Sequence, residues 1–326
     1  MLFTTLDVLR PAQVEFAPEV ESLLIVNNSK VQPEYFGHTT RFFTGQAQEV
    51  SVPTDSVSLF ALSVLAEEID NINFFSWTDL ILHSVNTNTD FNTINPLPRT
   101  AVVSLSQVHD ADAILSLDHI IARSEIQEYF SASWGFSAFL NVSYESWWSI
   151  HQPNSPEVVA LHFRDSLFWE SGWYHSRTEA LEALPYRYDA LIDGALFVGQ
   201  NSVRRFLPFW ERSDRFFYNP NNRLMRQAMD SVVVQNWEAA LELWRQAFES
   251  SENKRLRAEA ANNMAIANEI LGDFDDALKY AKISYELFSA TVATRESTLI
   301  RLSDYIQELY RRQREILLLN RQLGIF

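Results

Sequence analysis

The sequence predicts an α+β fold: a mostly antiparallel sheet with flanking helices over residues 1–219, followed by an all-α helical array over 220–326. Three observations carry this expectation. Apolar residues recur with a period of two between about Pro18 and Trp169, the period becomes helical after Trp173, and the stretch around Trp237 reappears around Phe274. Alternate side chains of a strand face opposite sides of a sheet, whereas a helix face repeats every 3.6 residues, so a change of period is a change of architecture. A chain of 326 residues also suits two domains of ~100–200 residues better than one.

The elements follow in order. Ser22 to Asn28 is an apolar run stopped by an Asn-Asn-Ser turn signal and reads as a buried first strand. Leu59, Leu62, Leu65, Ala66 and Ile69 recur at helical spacing after Pro53, with Thr54 or Asp55 as the expected cap. Phe74 to Leu82 returns to strand composition. The longest alternation runs from about Ala132 to Ile150, with Trp134, Phe136, Ala138, Leu140, Val142, Tyr144, Trp148 and Ile150 on one parity and polar residues on the other. Flanked by Ile114 to Ile126 and by Val159 to Trp169, it predicts a meander of three long strands with one packed and one wet face. Thr178 to Leu184 and Tyr188 to Trp210 are read as helices, the second carrying small residues that permit close packing on a sheet. Arg215 to Tyr218 is expected as a last strand, closing the first domain before the Asn219-Pro220 boundary.

Composition excludes several function classes. A formal charge of −16 opposes phosphate backbones, since nucleic-acid affinity comes mainly from Lys and Arg. No stretch approaches the ~18 consecutive apolar residues of a membrane-spanning helix. The absence of cysteine removes disulfides, thiolate nucleophiles and Cys-ligated metals together.

In the last third, Gln235-Asn236-Trp237-Glu238-Ala239-Ala240-Leu241 aligns with Gly272-Asp273-Phe274-Asp275-Asp276-Ala277-Leu278, an offset of about 37 residues, near the ~34 of a tetratricopeptide unit. Ala228 and Ala265 take the small position of each first helix and Ala240 and Ala277 that of each second helix, with Trp244, Phe248, Tyr280, Ile283 and Leu287 filling between them. On these residues the segment from about Asn221 to Phe288 resembles two tetratricopeptide repeats. Such arrays bind through the surface lined by their first helices, which here nominates Arg226, Gln227, Asn262 and Glu269 as partner-binding residues, the alternative being a groove filled by the C-terminal helix or the N-terminal domain that binds nothing. The final helix, Arg295 to Leu323, carries a heptad seam through Leu299, Leu302, Ile306, Leu309 and Ile316, read as a cap on the second repeat or as a self-association surface.

Catalytic signatures are scarce. The seven histidines form no HExxH or HxH pair, and GxSxG, P-loop and GxGxxG patterns are absent, so neither a catalytic residue nor a cofactor or metal site is nominated. His109-Asp110-Ala111-Asp112 reads as a polar turn, with a metal or acid/base site as the alternative. Asp165 shares the parity of Leu161, Phe163 and Leu167 and therefore needs a partner, such as Arg187 or Arg204, unless it is a perturbed acid. Trp147, expected to be exposed where Trp148 is buried, is the candidate sugar platform.

Taken whole, the chain resembles an uncharacterised family of predicted lipoproteins from Gram-negative gut anaerobes. The residues that carry this are Leu6 to Ala12, Val20 to Asn28, Ala183-Leu184-Pro185, Arg205 to Trp210, Arg215 to Tyr218 and Ala260 to Ala265. The part before Asn219 is also similar to the periplasmic domain of curli-secretion-type lipoproteins, a likeness of fold alone. The first resemblance implies an outer-membrane lipoprotein on the periplasmic or surface side, with a lipidated cysteine just upstream of Leu2 as its only membrane attachment. The function expected is therefore non-catalytic: a protein-binding scaffold acting through its repeats, with a carbohydrate-active or glycan-binding envelope protein as the alternative.

Overall fold

A computed structural model describes residues 2–88, 90–291 and 294–325. Along the chain run β1 (Leu2–Arg10), β2 (Ser22–Asn27), β3 (His38–Arg41), β4 (Ala47–Glu49), α1 (Val57–Ile72), β5 (Trp77–Ile81), α2 (Arg99–His109), β6 (Ala113–Ser131), β7 (Gly135–His151) and β8 (Val158–Glu170). Then come α3 (Arg177–Glu182), α4 (Arg187–Phe206), β9 (Phe209–Phe217), α5 (Arg223–Val233), α6 (Trp237–Ser250), α7 (Lys254–Leu271), α8 (Phe274–Ser289) and α9 (Glu296–Gln322). The sheet-rich and helical parts form two compact units, residues 13–207 and residues 1–12 with 208–326. This division differs from boundaries at 219 and 220, because β1 and β9 pair with each other along their whole length and sort with the helices.

The sheet unit is mixed, its long ladders antiparallel as expected. Its centre is parallel, with β2 between β5 and β6 and β3 also parallel to β6; only β3–β4 and the β6–β7–β8 meander are antiparallel. All six residues of β2 are buried, since Leu23 and Ile25 face the core beneath α1 and α4 while Leu24 and Val26 pack with Val102 of α2 and Leu97. A strand covered on both faces is apolar on both parities, as a parallel strand is. The meander keeps the expected parity from Ala138 onward, with Ala138, Leu140, Val142, Tyr144, Trp148 and Ile150 all in the core, whereas Trp134, expected on the same face, lies in the turn before β7 and is exposed. Two glycines set the seat of α4. A Cβ at Gly194 would meet the Tyr144 ring at 2.4 Å, and one at Gly199 would meet the Ala61 carbonyl oxygen at 2.5 Å. Helix α1 begins at Ser56, not at Thr54 or Asp55, without a side-chain cap bond, and Thr54 instead donates to the Gln32 carbonyl. Helix α2 was not foreseen in the sequence.

The helical unit is two antiparallel hairpins, α5–α6 and α7–α8, followed by α9. The internal repeat is visible in the backbone. Gln235 and Gly272 both adopt positive φ, and Asn236 and Asp273 both cap the next helix by accepting from the N–H three residues on, with φ of −89° and −87°. Ala228, Ala265, Ala240 and Ala277 are all fully buried, which lets the helix backbones approach. Residues 258–269 of α7 are buried on every side, the mark of a helix enclosed by its neighbours. Those neighbours include β9, which among the described residues pairs with β1 in a two-stranded ribbon. It does not extend the sheet of residues 13–207, contrary to the expectation for Arg215 to Tyr218. Leu302, Tyr305 and Leu309 of α9 are buried, so this stretch of the seam caps the array, while Leu317 remains exposed.

Candidate functional site

The four residues nominated from the repeats separate into two pairs. Arg226 and Gln227 lie on the exposed side of α5. Asn262 and Glu269 are buried, because the surface of α7 they share holds the ribbon. Asn262 donates to the Phe216 carbonyl at 3.1 Å, and its neighbour Asn263 holds both backbone groups of Tyr218, accepting from the N–H at 2.8 Å and donating to the carbonyl at 2.7 Å. Phe217, between them, stacks on Trp244 at 5.5 Å and Trp237 at 6.1 Å. Backbone capture by Asn combined with an aromatic pocket is how a groove holds an extended peptide. Here the peptide is the protein's own strand, so at Asn262 and Glu269 the nominated surface is occupied from within the chain.

Glu269 fastens the middle of the ribbon. Arg215 of β9 meets it in a bidentate pair at 2.8 and 2.6 Å, Arg312 of α9 adds a second guanidinium, and the Tyr305 hydroxyl donates at 2.9 Å. Burial raises the carboxyl pKa, but the Arg215 hydrogen bond and the charges of Arg215 and Arg312 outweigh it, and the net shift is downward. A second network closes the ribbon's end. Arg10 of β1 bonds Glu211, Glu308 and Glu315, and Arg311 joins the same three carboxylates. Burial disfavours the Arg10 charge, yet the bonds to Glu308, Glu315 and Glu211 raise its pKa overall.

Beside the ribbon a cavity of about 410 Å³ remains, with apolar walls at Phe3, Phe216 and Ile266 and polar groups from Asn262, Arg301 and Asp304. Its size falls in the range of ligand pockets, ~300–1,000 Å³. Asn262 is 1% exposed, and its side-chain oxygen has no hydrogen-bond partner. Buried acceptors are nearly always satisfied, so an orphan calls for an explanation. Asp304 is exposed and makes no ion pair among the described residues, and the Arg301 guanidinium lies 4.6 Å over the Phe216 ring. Of this cavity only Asn262 was legible from the repeat; Phe3 and Asp304 come from segments far apart in sequence.

In the sheet unit, Asp118 occupies a β-bulge, where the register to β7 shifts between Leu117 and His119. It accepts from Asn28 and Ser116, both at 2.8 Å, and from Ser149 at 2.5 Å, and Ser116 lies 3.3 Å from His151 Nε2. Burial raises the Asp118 pKa against these bonds. The serine touches both acid and base, but all three are buried, and no array with a nucleophile open to substrate results. Trp147 is half-buried, flanked across the sheet by His162, stacked at 4.5 Å, and by His119 at 5.4 Å, so the indole lacks the open face a sugar platform needs. His109 bonds Asp79 at 2.8 Å, and Asp112 accepts from Ser22 and Glu21, making that cluster a turn. Asp165 is held by Arg205 and Asn201, not by Arg187 or Arg204. At the tip of the β6–β7 hairpin Phe130 and Trp134 are exposed, and Phe43 and Phe136 complete an aromatic cluster with Phe130 at ring spacings of 4.8–6.1 Å.

No helix among the described residues is long and apolar enough to cross a membrane, and no group of three or more His, Cys, Asp or Glu among them is placed to hold a metal ion. Among curated proteins no match is found. A family model described as Domain of unknown function (DUF6340) matches residues 226–311, within the helical unit. A second, described as Domain of unknown function (DUF8603), matches residues 20–218, more than half of the chain, and the protein therefore belongs to the DUF8603 family.

Proposed function

We propose that the protein is a non-catalytic scaffold of the cell envelope, lipid-anchored at its N-terminus, whose tetratricopeptide-like helical unit takes a basic segment of a partner protein into the cavity beside the ribbon. The observation that carries this reading is the buried, unpartnered side-chain oxygen of Asn262, a residue that lines a cavity together with the exposed Asp304. A buried acceptor left unmet costs about 1–3 kcal/mol, which a ligand's donor recovers. Lysine and arginine supply such donors on apolar stems, and those stems suit the walls at Phe3, Phe216 and Ile266. The net charge of −16 draws basic partners by the same field that repels polyanions.

Short peptides rich in lysine or arginine should bind in calorimetry at low salt, and Asp304→Ala should weaken them about fivefold or more while leaving the melting temperature unchanged. Equal affinity in the variant overturns the reading. Fractionation of native cells tests the envelope location: the protein should follow the membranes and be released by detergent, and recovery in the cytosol contradicts it.

A further inference from the structure

We infer that the helical unit carries a second site, for a phosphate-type oxyanion, where the N-terminus of α9 meets the end of β9. A cavity of about 440 Å³ there is lined by Tyr218, Arg255, Arg295, Ser297, Thr298 and Arg301. Three arginines and no Asp or Glu line it, in a chain whose acidic residues outnumber its Lys and Arg by 42 to 26. Arg295 is the N-cap of α9 and gives its first turn no side-chain cap. The N–H groups of a helix's first turn lack acceptors within the helix and carry the positive end of its dipole, so they favour a bound anion. Ser297 and Thr298, from that turn, bring hydroxyls to the same wall.

A helix terminus alone is not a site; Tyr218 supplies the independent observation. It is 8% exposed, and its hydroxyl is buried without a hydrogen-bond partner. The backbone of Tyr218 is fixed by Asn263 and its ring by Phe216 at 5.3 Å and Phe288 at 5.5 Å, so the hydroxyl is held in place beside the arginines. Arg295 makes no ion pair among the described residues, while Arg255 uses its Nε on Glu259 at 3.1 Å. A tetrahedral dianion offers the acceptors that guanidiniums, hydroxyls and helix N–H groups converge on, and charge-assisted bonds of this kind are the strong ones. The cavity at Asn262 shares Arg301 with this one, but Tyr218, Arg295, Ser297 and Thr298 line this one and not that.

The test is calorimetric titration of the full chain with inorganic phosphate and with glycerol phosphate, using acetate at matched ionic strength as the planar monoanion control. Saturable phosphate binding is expected, with acetate about tenfold weaker and Arg295→Ala reducing phosphate affinity about tenfold. Tyr218→Phe should reduce it about threefold, the effect of one hydrogen bond, without lowering the melting temperature. Glycerol phosphate binding as well as phosphate assigns a monoester ligand, and phosphate alone assigns the free ion. Absence of saturable binding, or affinity unchanged in Arg295→Ala, overturns the site.

Discussion

Glu269 in the helical unit and Asp118 in the sheet unit are both buried carboxylates, and the protein treats them in opposite ways. Glu269 meets two guanidiniums and a phenol, and its pKa falls; Asp118 meets an amide and two hydroxyls, and its pKa rises. His38 and His119 in the sheet unit are likewise held neutral, buried with their pKa values lowered to about 4, by burial first and then by Arg187 and Lys30 respectively, although the same unit also buries the Asp165–Arg205 ion pair. A ribbon held in a groove by charges has a defined register, because each guanidinium fits its carboxylate in one geometry. A parallel sheet core has its register set by packing on both faces and needs only that its polar groups be satisfied.

The largest difference is expected from removing one charge. Glu269→Gln leaves Arg215 and Arg312 buried with no carboxylate and should destabilise the helical unit by about 3–5 kcal/mol in denaturant unfolding. A cost below about 1 kcal/mol would mean that the ion cluster does not hold the ribbon.

Acid should separate the units next. His38 and His119 take up protons in the unfolded chain below about pH 6.5 but in the folded chain only near 4, so their contribution is complete above 6.5 and is lost as pH falls toward 4, on the order of 3 kcal/mol each. His151, lowered by burial, acts in the same direction. Asp118, with a raised pKa, opposes them, since the fold gains stability as that group protonates. Glu269 contributes above its ordinary value of 4.5, and that contribution is lost only as pH falls through its lower folded value. Hydrogen exchange followed by peptide across pH 7 to 4 should therefore show residues 13–207 losing protection before residues 208–326. Simultaneous loss would erase the distinction drawn between the two units.

The smallest effect is expected at the neutral site. Asp118→Asn keeps an acceptor for Asn28 and Ser116, offers Ser149 a donor and removes a desolvated charge, so stability at pH 7 should change by less than about 1 kcal/mol. A cost as large as that of Glu269→Gln would show that Asp118 has an unseen cationic partner.

Much of this contrast was legible in the sequence, and what was missed has physical reasons. The long meander, the core parity of β7 and the paired caps Asn236 and Asp273 follow from local period and spacing. The parallel centre was written in Leu23-Leu24-Ile25-Val26, apolar on both parities, but the amphipathic strands after it dominated the reading. Helix α2 has one buried residue, Val102, and so almost no apolar stripe to find. The ribbon joins residues distant in sequence, as in Leu6↔Ser213, and no local pattern announces such a pairing. Asn262 stood out because the repeat placed a polar residue on the stripe that faces a ligand in such arrays. At both Asn262 and Glu269, however, the occupant of that stripe is part of the chain itself.

Photo-crosslinking from three positions in native envelopes tests the central claim most directly: position 3 at the mouth of the cavity, position 226 on the exposed side of α5, and position 134 at the aromatic hairpin tip. The account predicts that one partner protein is captured from position 3, where Phe3 is 70% exposed, and that Asp304→Ala abolishes this capture. Capture of the partner from position 134 alone, unaffected by Asp304→Ala, would contradict it and place the binding surface on the sheet unit.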